Sequence, residues 1–543
     1  MTQYLITSAL PYVNNVPHLG NLIGSTLSAD FYARYCRLRK RQVLFICGSD
    51  CYGTASEVKA QEAGVTPAVL CEKYHQLHKD VYVWFDISFD IYGKTSTPTH
   101  TGIVTGISHD LERNSYLDSQ IVQQLYCGVC DTSLADRYVK GTCPFCGKEA
   151  RGDQCDATDC GKILHALNLI NPVCAVCGGT PTLKDSKHIF LNLEKCQPQL
   201  EEWVSSARAR WSTNAVGSTR GWLTKGLEPR CITRDLKWGT PVPRLLDEDW
   251  PDKVFYVWYD APIGYISITA CERDDWRSWW QAPDKTRLYQ FMAKDNIPFH
   301  TVMFPAMLQA TGQAWTLVTD ICATEYLNFE GRKFSKSKGV GIFADRIQNA
   351  GIPADYWRYY LATIRPERSD SNFDRNGFKM AIDELADKYG NLVNRVLNLI
   401  KKYRDGYPLP LTSIATRESD QEFQDAVEKL HMEYHDAFDS VKIIAAVQLA
   451  LQVAQEANKY LYQREPWKLQ DPDRRDIICT VALQTVYQCS VMLAPIIPTI
   501  HKTFCGYLGL ADGAEDVLDV GEVHIQNFAP LIDKQCVQKI EIY

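Results

Sequence analysis

The chain has 543 residues, a net charge of −7, and 45% hydrophobic, 23% charged and 11% aromatic content. That length is too great for one core and predicts three or more domains, in a composition ordinary for a soluble protein. The absence of any window near 18 uninterrupted apolar residues predicts no membrane span, and the acidic balance argues against a general nucleic-acid binder, although local basic surface would suffice for one partner.

The opening Met1-Thr2-Gln3-Tyr4-Leu5-Ile6 has no basic stretch ahead of an apolar run, which predicts no signal peptide and a cytoplasmic location. Gln3 to Ala9 reads as a strand running into a turn-rich loop, Pro11 to Pro17. From His18 the residues Leu19, Leu22, Ile23, Thr26 and Leu27 recur at helical spacing, so His18 to Asn21 opens a helix. Val43 to Cys47 is a continuous apolar run, as in a strand covered on both faces, and ends in Gly48-Ser49-Asp50. A helical pattern follows Thr54, and Val254 to Trp258 reads as a further strand. This alternation predicts an α/β fold, a Rossmann-like doubly wound parallel sheet with its ligand at the carboxyl ends of the strands.

Residues 116–230 interrupt the alternation, and eight of the 20 cysteines fall between Cys127 and Cys177, spaced Cys127-x2-Cys130, Cys143-x2-Cys146, Cys155-x4-Cys160 and Cys174-x2-Cys177. Each pair can offer two thiolates to one metal through a tight turn. A closed structural zinc site takes four ligands, so four pairs predict two all-cysteine sites. Disulfides would instead need an oxidising compartment. Beyond about residue 340 the chain turns helical. In Lys379 to Lys402 the residues Ile382, Leu385, Tyr389, Leu392, Val396 and Leu399 step by three or four, which marks one buried stripe. Gly406 to Thr412, with two prolines, reads as a linker or a long loop, helical patterns resume to about 510, and the last thirty residues are weakly patterned. The expected organisation is a sheet domain in two halves, 1–115 and 231–325, around a zinc-knuckle insertion at 116–230. A junction at 326–378 and a C-terminal all-α helical bundle at 379–543 complete it.

Two short segments carry the chemistry. His18-Leu19-Gly20-Asn21 puts an imidazole, a glycine and an amide at a helix N-terminus; Lys333-Phe334-Ser335-Lys336-Ser337 puts two ammonium groups and two hydroxyls on a loop between Gly331 and Gly339. Donors at a helix start on one side and mobile cations on the other suit the activation of a nucleoside triphosphate. Alone, the second segment would more often be a solvated charge run.

In this order the two segments resemble the signatures of the class I aminoacyl-tRNA synthetases, and the flanking residues resemble the methionyl-tRNA synthetase family. Asn21 stands where the family's second histidine usually does, and Phe334 replaces its central methionine. The resemblance implies catalytic roles for His18, Asn21, Lys333 and Lys336, and an ATP site formed by His18, Gly20, Asn21, Asp295, Lys333, Ser335 and Lys336, with Mg²⁺ accompanying ATP. Ala9-Leu10-Pro11-Tyr12 and Trp258-Tyr259-Asp260-Ala261-Pro262-Ile263-Gly264-Tyr265 match family segments, which implies a methionine pocket lined by Leu10, Tyr12, Trp258, Ala261, Pro262 and Tyr265. By the same match Asn296 and His300 belong to the pocket wall, Asp50 meets the substrate amino group, and Arg234 is conformationally important. A thioether carries no charge, so its selection rests on shape and soft contacts plus one anchor for the ammonium group.

The resemblance also implies a metal pairing: Cys143, Cys146, Cys155 and Cys160 in one site, and Cys127, Cys130, Cys174 and Cys177 in the other. Asn391 and Arg395, at i and i+4 on one helix face, and Trp467 match anticodon-reading positions; amide, guanidinium and indole groups suit unstacked bases. The expected partners are tRNA(Met), ATP and L-methionine, with no membrane, and a monomer. An insertion of about 115 residues crowded with cysteines looks too short for the editing domain that branched-chain relatives need. Two alternatives remain: another class I synthetase, for cysteine or leucine, and a catalytically inactive zinc-containing tRNA-binding paralogue.

Overall fold

A computed structural model describes the chain except for residues 1, 153–154, 156, 158–159, 161, 163, 335–338, 410–416, 511–522 and 539–543. Ser335 and Lys336, and the end of the expected linker, lie outside the described residues. The chain folds as two compact units, one of residues 1–17, 44–80 and 89–323, the other of 18–43, 81–88 and 324–543.

The first unit is built on a five-stranded sheet in the order Val318–Thr324, Thr286–Ala293, Gln3–Ser8, Gln42–Ser49, Ile91–Lys94. Gln3–Ser8 runs parallel to Thr286–Ala293, and Gln42–Ser49 runs parallel to Ile91–Lys94. Leu5, Leu44, Ile46, Leu288 and Met292 are fully or almost fully buried, as expected of strands covered on both faces. Gly48 and Gly93 lie opposite each other under the helix Gly264–Glu272. A Cβ on Gly48 would lie 2.5 Å from Ile268 Cδ1, and one on Gly93 2.8 Å from Ile268 Cγ2. Both glycines therefore serve close packing of helix on sheet.

The expected strand Val254 to Trp258 is shorter than the sequence suggests. Only Val254–Phe255 is strand; Val257–Asp260 is already helical and continues through Ala261–Ile263 into Gly264–Glu272. The apolar run has strand composition, but its second half serves as the first turn of a buried helix, and a short run of this kind does not tell the two apart.

The insertion leaves the sheet on a long antiparallel ribbon, Leu117–Cys127 against Thr182–Leu191, in register from Leu117↔Leu191 to Tyr126↔Thr182. At its far end a small sheet, Glu149–Arg151, Val139–Thr142 and Ile170–Cys174, surrounds a separate core of Leu125, Leu134, Val139, Ala150, Leu169 and the cysteines. The helices Leu193–Ala207 and Thr213–Lys225 return to the main core through Leu193, Leu200, Val204 and Ala215.

The second unit is helical apart from a parallel strand pair, Leu327–Phe329 and Ser371–Phe373. Arg375–Leu385, a widened turn at Ala386–Gly390, and Asn391–Arg404 form the helix expected at 379–402, with Ile382, Leu385, Tyr389, Leu392 and Val396 buried along one stripe. Lys401, Lys402 and Arg404 close its last turn, where cations suit the dipole. Glu418–Asp439, Ile443–Arg464 and Pro472–Leu493 follow as an all-α bundle. Pro472–Leu493 is long and apolar enough to cross a membrane by length and composition, but 78% of that window is buried inside the protein, as in a core helix. The wholly buried Arg358 donates to Asp30 Oδ2 (2.7 Å) and to the carbonyls of Phe85 (2.8 Å) and Ile496 (2.8 Å), so its charge is paired and its fork satisfied.

Candidate active site and cysteine clusters

In the first unit the site grows from the end of the strand Gln42–Ser49. Asp50 forms a bridge with Tyr12: its N–H donates to Pro11 O (2.9 Å) and its carbonyl accepts from Val13 N–H (3.3 Å). The Asp50 carboxyl is buried, and its Oδ1 has no hydrogen-bond partner among the described residues. Burial pushes its pKa well above the usual carboxylate range, and the nearby Asp260 carboxylate adds to the shift. Asp260 is itself buried, with Oδ2 accepting from Thr240 Oγ1 (2.7 Å) and Oδ1 unpartnered among the described residues. Two buried carboxyls, each with an orphan oxygen, make a strong cation-accepting site.

Around it stand the apolar and aromatic groups. Trp258 packs on Phe299 with ring centroids 4.7 Å apart, and on Tyr256 at 5.1 Å. The Arg234 guanidinium lies 3.6 Å from the centre of the Tyr256 ring. Tyr265 O–H donates to His300 Nε2 (2.8 Å), and His300 Nδ1–H donates to the Asn296 carbonyl (2.9 Å), which fixes one neutral tautomer. Burial pushes the His300 pKa down to about 4. Leu10 lies against Gly264, where an added Cβ would meet Leu10 Cδ1 at 2.8 Å. Pro262 is buried, Ala261 is half-buried beside it, and Asp295 is exposed at the end of Thr286–Ala293. Tyr12 and Trp258 also line a cavity of about 320 Å³ with Asn14, Gly53, Val257 and Arg137.

In the second unit His18 caps its own helix. His18 Nδ1 accepts from Asn21 N–H (3.3 Å) while Asn21 Oδ1 accepts from His18 N–H (3.1 Å), a reciprocal capping box. With Nδ1 accepting and the pKa pushed down to about 4 by burial, the neutral ring carries its proton on Nε2 and presents a donor there. Asn21 keeps its amide N–H₂ as a second donor. A Cβ at Gly20 would lie 3.0 Å from two atoms of the His18 ring, so the glycine leaves room for the imidazole. Phe334, at the start of the lysine segment, reaches the same place. Phe334 stacks on His18 with centroids 4.4 Å apart and planes 6° from parallel, and Phe343 pairs with His18 through the backbone. Lys333 Nζ lies 5.5 Å from the Tyr326 ring centre.

The eight cysteines from Cys127 to Cys177 gather as two sets, Cys127, Cys130, Cys174 and Cys177, and Cys143, Cys146, Cys155 and Cys160, each with all Sγ atoms within 4.8 Å of one another. Individual Sγ–Sγ distances are 3.4 Å for Cys127–Cys177, 3.9 Å for Cys130–Cys174, 3.9 Å for Cys143–Cys160 and 3.6 Å for Cys146–Cys155. A tetrahedral tetrathiolate with Zn–S near 2.3 Å has edges of about 3.8 Å, so both sets fit one metal ion each. The longer Cys155-x4-Cys160 spacing is accommodated without separating the thiols.

Asn391 and Arg395 are exposed on the helix Asn391–Arg404. Arg395 Nη1 donates to Asn458 Oδ1 (3.1 Å) and Asn391 Nδ2 to Asp387 Oδ1 (3.2 Å). Trp467, 40% exposed, sits in the short turn Pro466–Lys468 that follows the helix carrying Asn458.

Sequence reasoning assigned no role to Asp260 or to His100, whose Nε2 lies 3.6 Å from Asp260 Oδ2. Asp260 stands inside a quoted motif, and a buried acid there was the available signal; His100 gave none.

The tRNA synthetases class I (M) family model matches residues 4–397. The chain is 47% identical over 523 residues to the cytoplasmic methionine–tRNA ligase of Homo sapiens, covering 95% of this chain and 57% of that one. It is 50% identical over 464 residues to the probable cytoplasmic methionine–tRNA ligase of Schizosaccharomyces pombe, covering 84% of this chain and 59% of that one. It thus spans less than two thirds of the length of these two relatives. Among solved structures, the Mycobacterium tuberculosis methionyl-tRNA synthetase in complex with methionyl-adenylate is similar in fold, with a TM-score of 0.80 at 22% identity, covering 98% of this chain and 100% of that one. A family model that runs from the first strand through the helix bearing Arg395, together with a shared architecture over nearly the whole length, makes the chain a member of the class I tRNA synthetases of the methionine type.

Proposed function

We propose that this chain is a methionine–tRNA ligase: it joins L-methionine to ATP as methionyl adenylate, releasing pyrophosphate, and then passes the methionyl group to tRNA(Met). The observation that carries the reading is the buried Asp50 carboxyl, whose Oδ1 has no hydrogen-bond partner among the described residues, beside an uncharged aromatic surface, because an α-amino acid with an apolar side chain needs those two things together. The ammonium group is anchored by Asp50, with Asp260 adding negative charge. The thioether packs among Leu10, Tyr12, Trp258, Ala261, Pro262 and Tyr265, with Asn296 and the neutral His300 closing the wall.

In the first step a carboxylate oxygen of methionine attacks the α-phosphorus, and the bond to the β-phosphate oxygen breaks. Little proton transfer is needed, so positioning and charge stabilisation dominate. His18 Nε2–H and the Asn21 amide supply donors, Gly20 permits close approach, and Asp295 holds the ribose. Lys333 and Lys336, with Ser335, stabilise the charge gathering on the departing pyrophosphate, which carries its Mg²⁺ with it. In the second step a hydroxyl of the terminal ribose of tRNA attacks the methionyl carbonyl and AMP leaves.

Zinc in both cysteine sets holds the insertion together, a structural role because four thiolates leave no open position. Cys146→Ser is expected to lower bound zinc from about two ions per chain to about one, measured by metal analysis after gel filtration. Asn391, Arg395 and Trp467 read the anticodon. Trp467→Ala is expected to raise the KM for tRNA about tenfold, since stacking on one base contributes roughly 1–3 kcal/mol, while leaving ATP–pyrophosphate exchange unchanged. The location we propose is the cytoplasm, which the names of the relatives carry for those proteins, and sedimentation would test the expected monomer.

ATP–pyrophosphate exchange with each amino acid in turn tests the whole reading. Stimulation by methionine supports it. Stimulation by cysteine or leucine alone, or silence with every amino acid, overturns it in favour of another synthetase or an inactive paralogue.

A further inference from the structure

Outside the knuckles, two thiols meet immediately beside the Asp50 anchor. Cys51 follows Asp50 in the chain, and Cys71 projects from the helix Pro67–Trp84; their exposures are 0% and 2%. Cys71 S–H donates to the Cys51 carbonyl (3.2 Å), and Cys51 S–H to the Ser49 carbonyl (3.7 Å). The pair shares a small apolar cluster with Val13, bordered by Tyr74 and Trp238.

The surroundings make the two sulfurs unequal. The neighbouring Cys71 side chain, the Ser96 hydroxyl and backbone N–H, and the Lys94 charge outweigh burial and bring the Cys51 thiol down to about 7. Cys71 is pushed up instead by the neighbouring sulfur and by burial. A thiol of lowered pKa packed beside a second thiol in one buried cluster is the arrangement that thiol oxidation to a disulfide requires.

We propose that Cys51 and Cys71 form a reversible disulfide on exposure to hydrogen peroxide, and that this oxidation displaces the Asp50 anchor and weakens methionine activation. The second half rests on the function proposed above. The Cys51 thiolate attacks one peroxide oxygen, the O–O bond breaks, and the departing hydroxide takes up a proton to leave as water, giving a sulfenic acid. Cys71 then loses its proton and its sulfur attacks Cys51; the S–S bond forms, the S–O bond breaks, and a second water leaves. Two thiols are oxidised and one peroxide is reduced to two waters; a dithiol reverses the reaction.

The coupling to the anchor is mechanical. An S–S bond near 2.05 Å draws the sulfurs well inside their contact distance. Cys51 is tied on both sides, its N–H donating to Thr95 Oγ1 (3.0 Å) and its carbonyl accepting from Trp238 Nε1 (2.7 Å). The neighbouring Asp50 backbone is paired with Pro11 and Val13 on either side of Tyr12. A pull on Cys51 is therefore passed to the Asp50 carboxyl and to Tyr12 together.

The test uses the full zinc-loaded chain, treated with peroxide and read by peptide mapping, ATP–pyrophosphate exchange and a chromophoric chelator that reports metal release from the knuckles. The expected result is a Cys51–Cys71 cross-linked peptide, a rise of about tenfold in the KM for methionine before any metal is released, and recovery with dithiothreitol. Cys51→Ser and Cys71→Ser are each expected to keep basal exchange and lose the peroxide response. Absence of the cross-linked peptide at doses that raise the KM, or a Cys71→Ser chain as sensitive as the parent, overturns the proposal. A disulfide that forms with an unchanged KM overturns its coupling to the anchor. The peptide map does not depend on methionine being the substrate, so failure of the thiol chemistry and failure of the functional reading are told apart.

Discussion

Asp50→Asn lowers kcat/KM for methionine by about 10²- to 10³-fold in ATP–pyrophosphate exchange, mostly through KM, because removing one partner of a buried charge pair costs roughly 3–5 kcal/mol. Asparagine keeps the shape and the backbone pairing with Pro11 and Val13, so the loss reads the charge rather than the fold. The parent protein has an accompanying pH signature. Burial and Asp260 raise the Asp50 pKa, so the proton competes with the ammonium group at a pH above the ordinary carboxylate range. As pH falls through that raised value, kcat/KM declines; above it the carboxylate is ionised and activity is level. The asparagine variant has no carboxyl to titrate there and loses this limb. An Asp50→Asn chain with the parent KM and the parent acid limb removes Asp50 from the site.

Lys336→Ala reduces adenylate formation by about 10²- to 10³-fold, the scale of deleting one preorganised charge donor from a transition state. The effect falls on kcat, because the charge it meets develops only as pyrophosphate leaves. Affinity for tRNA, read by filter binding, changes less than about twofold, since the residues proposed to read the anticodon are untouched. A variant that binds ATP poorly but reacts at the parent rate once saturated would show Lys336 to be a ground-state contact.

Much of this was legible in the chain because local chemistry and global fold agree. The His18 helix start followed from spacing alone, and the cysteine pairs were legible from their intervals. The two sets gathered in the structure match the pairing that the family resemblance implied. Other features were not legible. The reciprocal cap between His18 and Asn21 spends the Nδ1 acceptor locally and so decides which nitrogen is left to donate, a matter of geometry rather than residue type. The stacking of Phe334 on His18 joins positions 316 apart and leaves no local pattern. Asp260 was read as part of a motif, and its closeness to Asp50 depends on where the strand Val254–Phe255 turns into helix, the boundary that an apolar run conceals.

The ribbon that carries the cysteine sets gives them leverage. Ten residue pairs at about 3.4 Å each make an arm of roughly 30 Å, hydrogen-bonded along its length and therefore stiff to stretching. Its base is clamped in the main core by Leu117, Ile189 and Leu191. A tilt of about 5° at that clamp sweeps the tip through roughly 3 Å. The insertion thus behaves as a boom on a short hinge, and the reach of its tip is set at the clamp, far from the cysteine sets.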